Sequence, residues 1–236
     1  MAGAFVQQAS APSQVRHLLD RAVRTAVGER RVTASILPND LQEMPSKEPS
    51  RAHGTVHSGF GYLRSRVTPY EADFQRAAQV LSGGKRVAIL VGAGALKGGA
   101  LFKAVAEKFG ARVAKARLGK AVLPDELPWV TGSIGPGDRA QLLADERMQH
   151  AADDRSGFPD SEFLPEEGHA RVVQIDLSPD TLSLRYPMEV NLVGNAGETL
   201  QALLPLLEHK VERKWRGRIE RWRADWDKKL EKTCVG

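Results

Sequence analysis

The sequence predicts an α/β fold, a Rossmann-like parallel sheet with helices on both faces, together with a partial second α/β unit at the N-terminus. Three observations predict it. Between residues 68 and 208, short apolar runs of the fully buried kind alternate with segments of helical periodicity, which is the pattern of successive strand-helix-strand units. Gly92, Gly94 and Gly98 stand where one of those runs turns into a helix. A single helix-and-strand pattern over residues 15–37 precedes them, separated by a stretch with no periodicity.

The elements follow in chain order. Val15, Leu18, Leu19, Ala22, Val23, Ala26 and Val27 recur at helical spacing, and Val32 to Leu37 is a β-rich run stopping at Pro38-Asn39-Asp40. No other strand is expected near enough to pair with it, so this unit should expose apolar faces. Residues 43–66 are rich in Pro, Ser, His and Gly and read as a linker. Thr68-Pro69-Tyr70-Glu71 reads as a capping box opening a helix to about Leu81, ended by Gly83-Gly84. Arg86 to Val91 is a buried strand, Gly92 to Gly98 a turn into a helix ending near Gly110, and Ala111 to Ala116 a short strand. Arg171 to Asp176 and Glu189 to Val193 are further strands, and a helix runs from Ala196 to about Glu208.

Composition narrows the class. With 236 residues, 42% hydrophobic and 27% charged, the chain has material for one or two domains with a proper core. No apolar run approaches the ~20 residues that cross a bilayer. The first residues lack the basic and apolar regions of a signal peptide, so a cytoplasmic protein is expected. A single cysteine, Cys234, excludes an internal disulfide and any multi-cysteine metal site. The net charge of +5 lies entirely in residues 209–236, where ten Lys and Arg face five acids. Trp215, Ile219, Trp222 and Trp226 fall on one side of a helix there. Acids alternate with the bases and the aromatic stripe suffices to dock a helix, so nucleic acid is not the expected partner.

Two features bear on binding. Gly92, Gly94 and Gly98 leave backbone amides open at a helix start, which suits a phosphate or simply a tight strand-to-helix turn. Their spacing is one residue off the dinucleotide fingerprint, and the next strand ends in Lys115 and Arg117 rather than an acid. Asp176, at a strand end before Ser178-Pro179, suits a ribose hydroxyl or a helix cap. The six histidines show neither ligand spacing nor a paired nucleophile.

Several segments, taken in order, resemble the thiamine-diphosphate-dependent enzymes of the pyruvate oxidase and acetolactate synthase group. They are residues 33–42 (TASILPNDLQ), 87–94 (VAILVGAG), 118–124 (LGKAVLP), 130–135 (VTGSIG), 158–163 (FPDSEF), 174–179 (QIDLSP) and 188–194 (MEVNLVG). Members of that family have three α/β domains, pyrimidine-binding, central and pyrophosphate-binding. The resemblance assigns residues 1–42 to the end of the first, 67–208 to the whole central domain, and 209–236 to a basic helical tail leading toward the third. It implies that the family's cofactor-activating glutamate would precede Met1. The Gly-Asp-Gly segment and downstream Asn that hold magnesium and diphosphate belong to the third domain, and no Gly-Asp-Gly occurs in the 236 residues. Catalytic and metal residues are therefore expected to be absent and the chain inactive alone. In complete relatives, thiamine diphosphate and Mg2+ act on 2-oxo acids within homo-oligomers. In some, the central domain binds FAD, and the positions matching that site here are Gly92, Gly94, Thr131, Gly132, Gly157, Phe158, Pro159, Asp176 and Gly194. Asn195 and Asp160 stand where the family commonly has Asp and Tyr. A stand-alone FAD or nucleotide-binding module without catalysis is the alternative.

Residues 136–155 break the resemblance, since the family expects a buried strand and this stretch is polar. A GC-rich coding of Leu-Leu-Gly-Thr-Gly-Pro-Ser, CTC CTG GGG ACC GGG CCC AGC, read one base early gives Pro-Gly-Asp-Arg-Ala-Gln, the residues at 136–141. Thr-Leu-Leu-Met-Ile-Gly shifted likewise gives His-Ala-Ala-Asp-Asp-Arg, the residues at 150–155. A compensated frameshift is the expectation, and frame +1 of the coding DNA checks it: without a Leu-Leu-Met-like strand there, the idea fails.

Overall fold

The structure is a computed structural model that describes residues 3–45, 66–133, 168–184 and 186–234. The chain divides into two compact units, Met1–Arg66 and Val67–Gly236.

In the N-terminal unit, strand β1 (Phe5–Gln8) runs parallel to β2 (Thr33–Ile36), joined by helix α1 (Pro12–Glu29); a short helix α2 (Asn39–Gln42) follows. The expectation of an unpaired strand is corrected: Phe5-Val6-Gln7-Gln8 pairs with β2 over its full length. Four residues with two glutamines carry too little periodicity to signal a strand, and the pairing partner decides it. Pro12 opens α1 and Arg30, in the left-handed conformation (φ 53°), closes it. A small core of Ala9, Leu18 and Leu41 results, while Val6, Leu19, Val23, Val32 and Ile36 remain exposed, Val32 at 78%. Parallel strands are ordinarily buried on both faces, so the exposure of apolar side chains expected for this unit is what the structure shows.

The second unit is of mixed α/β type with parallel strands. Helix α3 (Glu71–Gly83) leads to β3 (Ala88–Val91), α4 (Gly99–Phe109), β4 (Arg112–Lys115) and β5 (Val130–Ser133); β6 (Val173–Asp176), β7 (Val190–Val193), α5 (Ala196–Leu203) and α6 (Lys214–Cys234) complete it. Among the described residues, β3-β4-β5 form one parallel ladder and β6-β7 another, and one hydrophobic core spans both. All residues of β3, β4 and β6 are buried: β3 is an apolar run of the kind a parallel sheet buries on both faces, while β4 and β6 also bury Arg112, Lys115, Gln174 and Asp176.

Three expectations change. No side chain caps α3, which starts at Glu71 after an extended Thr68-Pro69-Tyr70. A residue before proline avoids the helical region, and the Val67 carbonyl instead accepts the Asn195 amide at 3.3 Å. The helix from Ala196 stops at Leu203, where Pro205 turns it into a 3-10 segment, Leu204–Leu206. Strand β5 was not among the expected elements, because four residues containing Gly132 (φ 93°) form a strand only beside β4. The frameshift expectation for 136–155 lies outside the described residues, as does most of the linker.

The basic tail docks on the core, as its aromatic stripe implied. Helix α6 docks on the core through Trp215 and the fully buried Ile219, with Trp222 packed edge-on against Trp215. Trp215 Nε1 donates to the Val87 carbonyl at 3.1 Å. The basic residues then meet backbone oxygens: Arg213 donates to the Glu107 carbonyl (2.6 Å) and Arg216 to that of Ala106 (2.7 Å), both at the C-terminus of α4, and Arg223 donates to the Val130 carbonyl (2.6 Å) at the start of β5. The Ala106 and Glu107 carbonyls also accept the Gly110 and Ala111 amides that cap the helix, and the C-terminal end of a helix carries partial negative charge, so the guanidinium groups add donors where charge favours them. Much of the charge excess is thus used inside the fold.

Candidate functional site

Parallel strands place their C-terminal ends at one edge of a sheet, and in open α/β sheets that edge is where ligands bind. Gly92 and Gly94 follow β3, Thr131 and Gly132 lie in β5, Asp176 ends β6 and Gly194 follows β7. Gly157, Phe158 and Pro159 lie outside the described residues.

The glycine turn is tight. Gly92 is extended (φ −106°, ψ −164°), and Ala93–Ala95 form one 3-10 turn before Gly98 opens α4. The amides of Ala95, Leu96 and Gly98 donate to the carbonyls of Gly92, Ala93 and Ala95 within the turn, so those three are not open to a ligand. Residues 116–123 pack on the turn from one side. A Cβ on Gly119 would stand 2.1 Å from the Val91 carbonyl oxygen and 3.0 Å from Gly92 Cα, and one on Gly99 would stand 2.5 Å from the Val122 oxygen. The start of α5 abuts the other side, where a Cβ on Gly197 would lie 3.9 Å from Gly98 Cα.

Asp176 is 1% exposed. Its Oδ1 accepts the Ser178 amide at 2.8 Å, a turn stabilised by the aspartate itself. Its Oδ2 is buried without a hydrogen-bond partner. Its backbone carbonyl accepts the Gly194 amide at 2.8 Å, which joins two of the expected positions. Thr199, fully buried, also has an unpartnered hydroxyl, and a Cβ on Gly194 would come 2.6 Å from it. Two orphaned polar atoms thus flank Gly194, which is unusual because buried polar groups nearly always find partners. Thr131 is placed differently: its hydroxyl donates to the Val113 carbonyl of β4 at 3.3 Å. The structure therefore brings Asp176, Gly194 and the glycine turn together through α5, and sets Thr131 and Gly132 on the far side of β4.

Lys115 was noted in the sequence only for failing to be an acid. It is 1% exposed at the end of β4, and its Nζ donates to the Leu123 carbonyl (2.9 Å) and to Asp125 Oδ1 (2.7 Å). This pins the loop that covers the glycine turn. The Lys115 hydrogen bond holds the Asp125 carboxyl below its ordinary 3.8. A carboxyl depressed on folding contributes stability above its unfolded value, and that stability is lost as pH falls through the folded one. Asp125→Asn should therefore lower the urea midpoint relative to the parent chain at pH 7, and the gap should close as acidification protonates the lowered carboxyl; a gap that stays constant on acidification would show that the pair carries no such linkage. Asp125 is half exposed, so solvent screening keeps the effect modest.

Residues 74–203 match the family model described as thiamine pyrophosphate enzyme, central domain. This chain belongs to that family. Relatives lie around it. A pyruvate oxidase of Lactiplantibacillus plantarum is 24% identical over 225 residues, 88% of this chain and 35% of the relative. An uncharacterized 42.6 kDa protein of Pseudomonas amyloderamosa is 29% identical over 214 residues, 89% of this chain and 52% of the relative. The thiamine diphosphate-dependent 4-hydroxybenzoylformate decarboxylase of Rhodococcus jostii superposes with a TM-score of 0.71 at 16% identity, covering 89% of this chain and 40% of that one, which shows the shared fold. The chain spans about half or less of the length of the relatives it matches. Among the described residues, no helix is long and apolar enough to cross a membrane and no cluster of His, Cys, Asp and Glu could hold a metal ion.

Proposed function

We propose that this chain is the structural and nucleotide-binding middle part of a cytoplasmic thiamine diphosphate-requiring enzyme of 2-oxo acid decarboxylation or carboligation, and that its 236 residues do not catalyse alone. One observation carries the reading: the family match falls on the central domain, while no Gly-Asp-Gly motif for magnesium and diphosphate occurs anywhere in the sequence. Among the described residues no cluster could hold the metal that thiamine diphosphate requires, and no catalytic step is assigned to them. The relatives named above are named for pyruvate and 4-hydroxybenzoylformate, both 2-oxo acids, which supports the substrate class.

A second reading, a stand-alone module that binds FAD or another nucleotide, rests on Asp176. A buried carboxylate oxygen with no partner, beside Gly194 and the start of α5, is an acceptor suited to a ribose hydroxyl. The glycine turn fits less well, since three of its amides are already bonded.

Dialysed full-length protein separates the two. With thiamine diphosphate, Mg2+ and pyruvate, no carbon dioxide is expected above background, and decarboxylation without a partner chain would overturn the first reading. Flavin retained at one per chain, and lost in Asp176→Asn, would favour the second.

A further inference from the structure

At the opposite end of the strands from Asp176 and the glycine turn lies a cavity of about 490 Å³. Its walls come from two places. Gly83, Lys85 and Arg86 belong to the end of α3 and the approach to β3, and His169 and Arg171 to the approach to β6. No carboxylate is among its lining residues. Cations near the C-terminus of α3 would suit that helix's own dipole, but Arg171 comes from a separate segment and is not explained by it.

Arg171 shows how the cavity is built. Glu189 holds it from behind with two bonds of 2.7 Å, to Nε and Nη2. That leaves Nη1, which lies 3.7 Å from where a Cβ on Gly83 would stand, directed at the cavity wall. An arginine fixed by a carboxylate on one edge presents its remaining donors in a set geometry, the arrangement that favours a planar or tetrahedral oxyanion. Glycine at 83 removes the side chain that would narrow this approach. The volume exceeds what a lone phosphate needs and falls within the range of small-ligand pockets.

We propose that this cavity binds the phosphate group of a small anion, through Arg171 and Lys85, at a site separate from the one proposed for a nucleotide. A phosphate in the cavity would meet a cationic side chain from each of the two converging segments, Lys85 from one and Arg171 from the other. Inorganic pyrophosphate carries the chemistry without a base or sugar, and ADP carries it with both.

The test is isothermal titration of the full chain with inorganic pyrophosphate in low-salt buffer, and again with ADP. One-to-one binding is expected for pyrophosphate. Lys85→Glu, at an exposed position and with an unchanged circular dichroism spectrum as its folding control, should weaken it at least tenfold, and Arg171→Lys, which keeps charge but loses the fork, should weaken it similarly. Asp176→Asn should leave pyrophosphate binding unchanged. ADP affinity lowered by Lys85→Glu would identify the phosphate source as a nucleotide, and ADP affinity unaffected by it would identify a free phosphate compound. Absence of saturable binding, equal affinity in Lys85→Glu, or loss of pyrophosphate binding in Asp176→Asn would each overturn the proposal.

Discussion

A chain ending at Glu208 should fail to unfold cooperatively, although it retains every residue of the family match at 74–203. Trp215 and Ile219 close the core and are 8% and 0% exposed. Truncating a buried Trp to Ala costs about 3–5 kcal/mol, and an Ile about 2–5, against a typical total stability of about 5–15. The truncation also removes the donors that Arg213, Arg216 and Arg223 bring to three backbone carbonyls. Trp215→Ala alone should lower stability by about 3–5 kcal/mol, visible as a reduced urea midpoint at unchanged slope. Val211→Ala, at a residue 87% exposed, should stay within about 0.5 kcal/mol. A native-like transition in the chain ending at Glu208 would show that α6 is dispensable.

Two glycines should respond in opposite directions to the same change. At Gly119 an added Cβ meets the Val91 oxygen at 2.1 Å and its carbonyl carbon at 2.8 Å, both backbone atoms of a buried strand. Gly119→Ala must therefore push residues 116–123 off the glycine turn and strain the 2.8 Å bond from the Ala116 amide to the Val91 carbonyl. A loss of at least about 3 kcal/mol is expected, the upper end of the overpacking range. At Gly217, inside α6, nothing lies within 4 Å, and Gly217→Ala should gain about 0.5–1 kcal/mol by reducing the freedom of the unfolded chain. Thermal melts of the two variants check both signs, and a neutral Gly119→Ala would mean that the loop does not pack on the turn as described.

Strand β3 was legible from a continuous apolar run, β4 and β6 from short β-rich runs between turn signals (Ala111–Ala116 after Gly110, Val-Val-Gln-Ile-Asp before Ser178-Pro179), and helices α3 and α4 from a helical period closed by glycine. Gly110 shows this at one residue: it ends α4 in the left-handed conformation at φ 62°, as its position after the periodic run implied. Strands β1 and β5 were not legible. Phe5-Val6-Gln7-Gln8 and Val130-Thr131-Gly132-Ser133 become strands only where a partner supplies hydrogen bonds. At the candidate site, Asp176 and the glycine turn stood out by position, but the unpartnered Thr199 hydroxyl left no signal, since a threonine in a helix is ordinary. Lys115 and Asp125, ten residues apart, carry no spacing rule that would join them.

The sequence by itself determined the class of fold and the glycines that its turns need, because those depend on residues adjacent along the chain. It also determined that the excess charge lies in residues 209–236. Only the tertiary structure decided what that charge does. Arg213 and Arg216 reach the C-terminus of α4, more than a hundred residues earlier in the chain, and no local pattern records a partner that distant. The same holds for the cavity at Arg171: its cations are scattered in sequence, and the folding of β3 and β6 into one core gathers them.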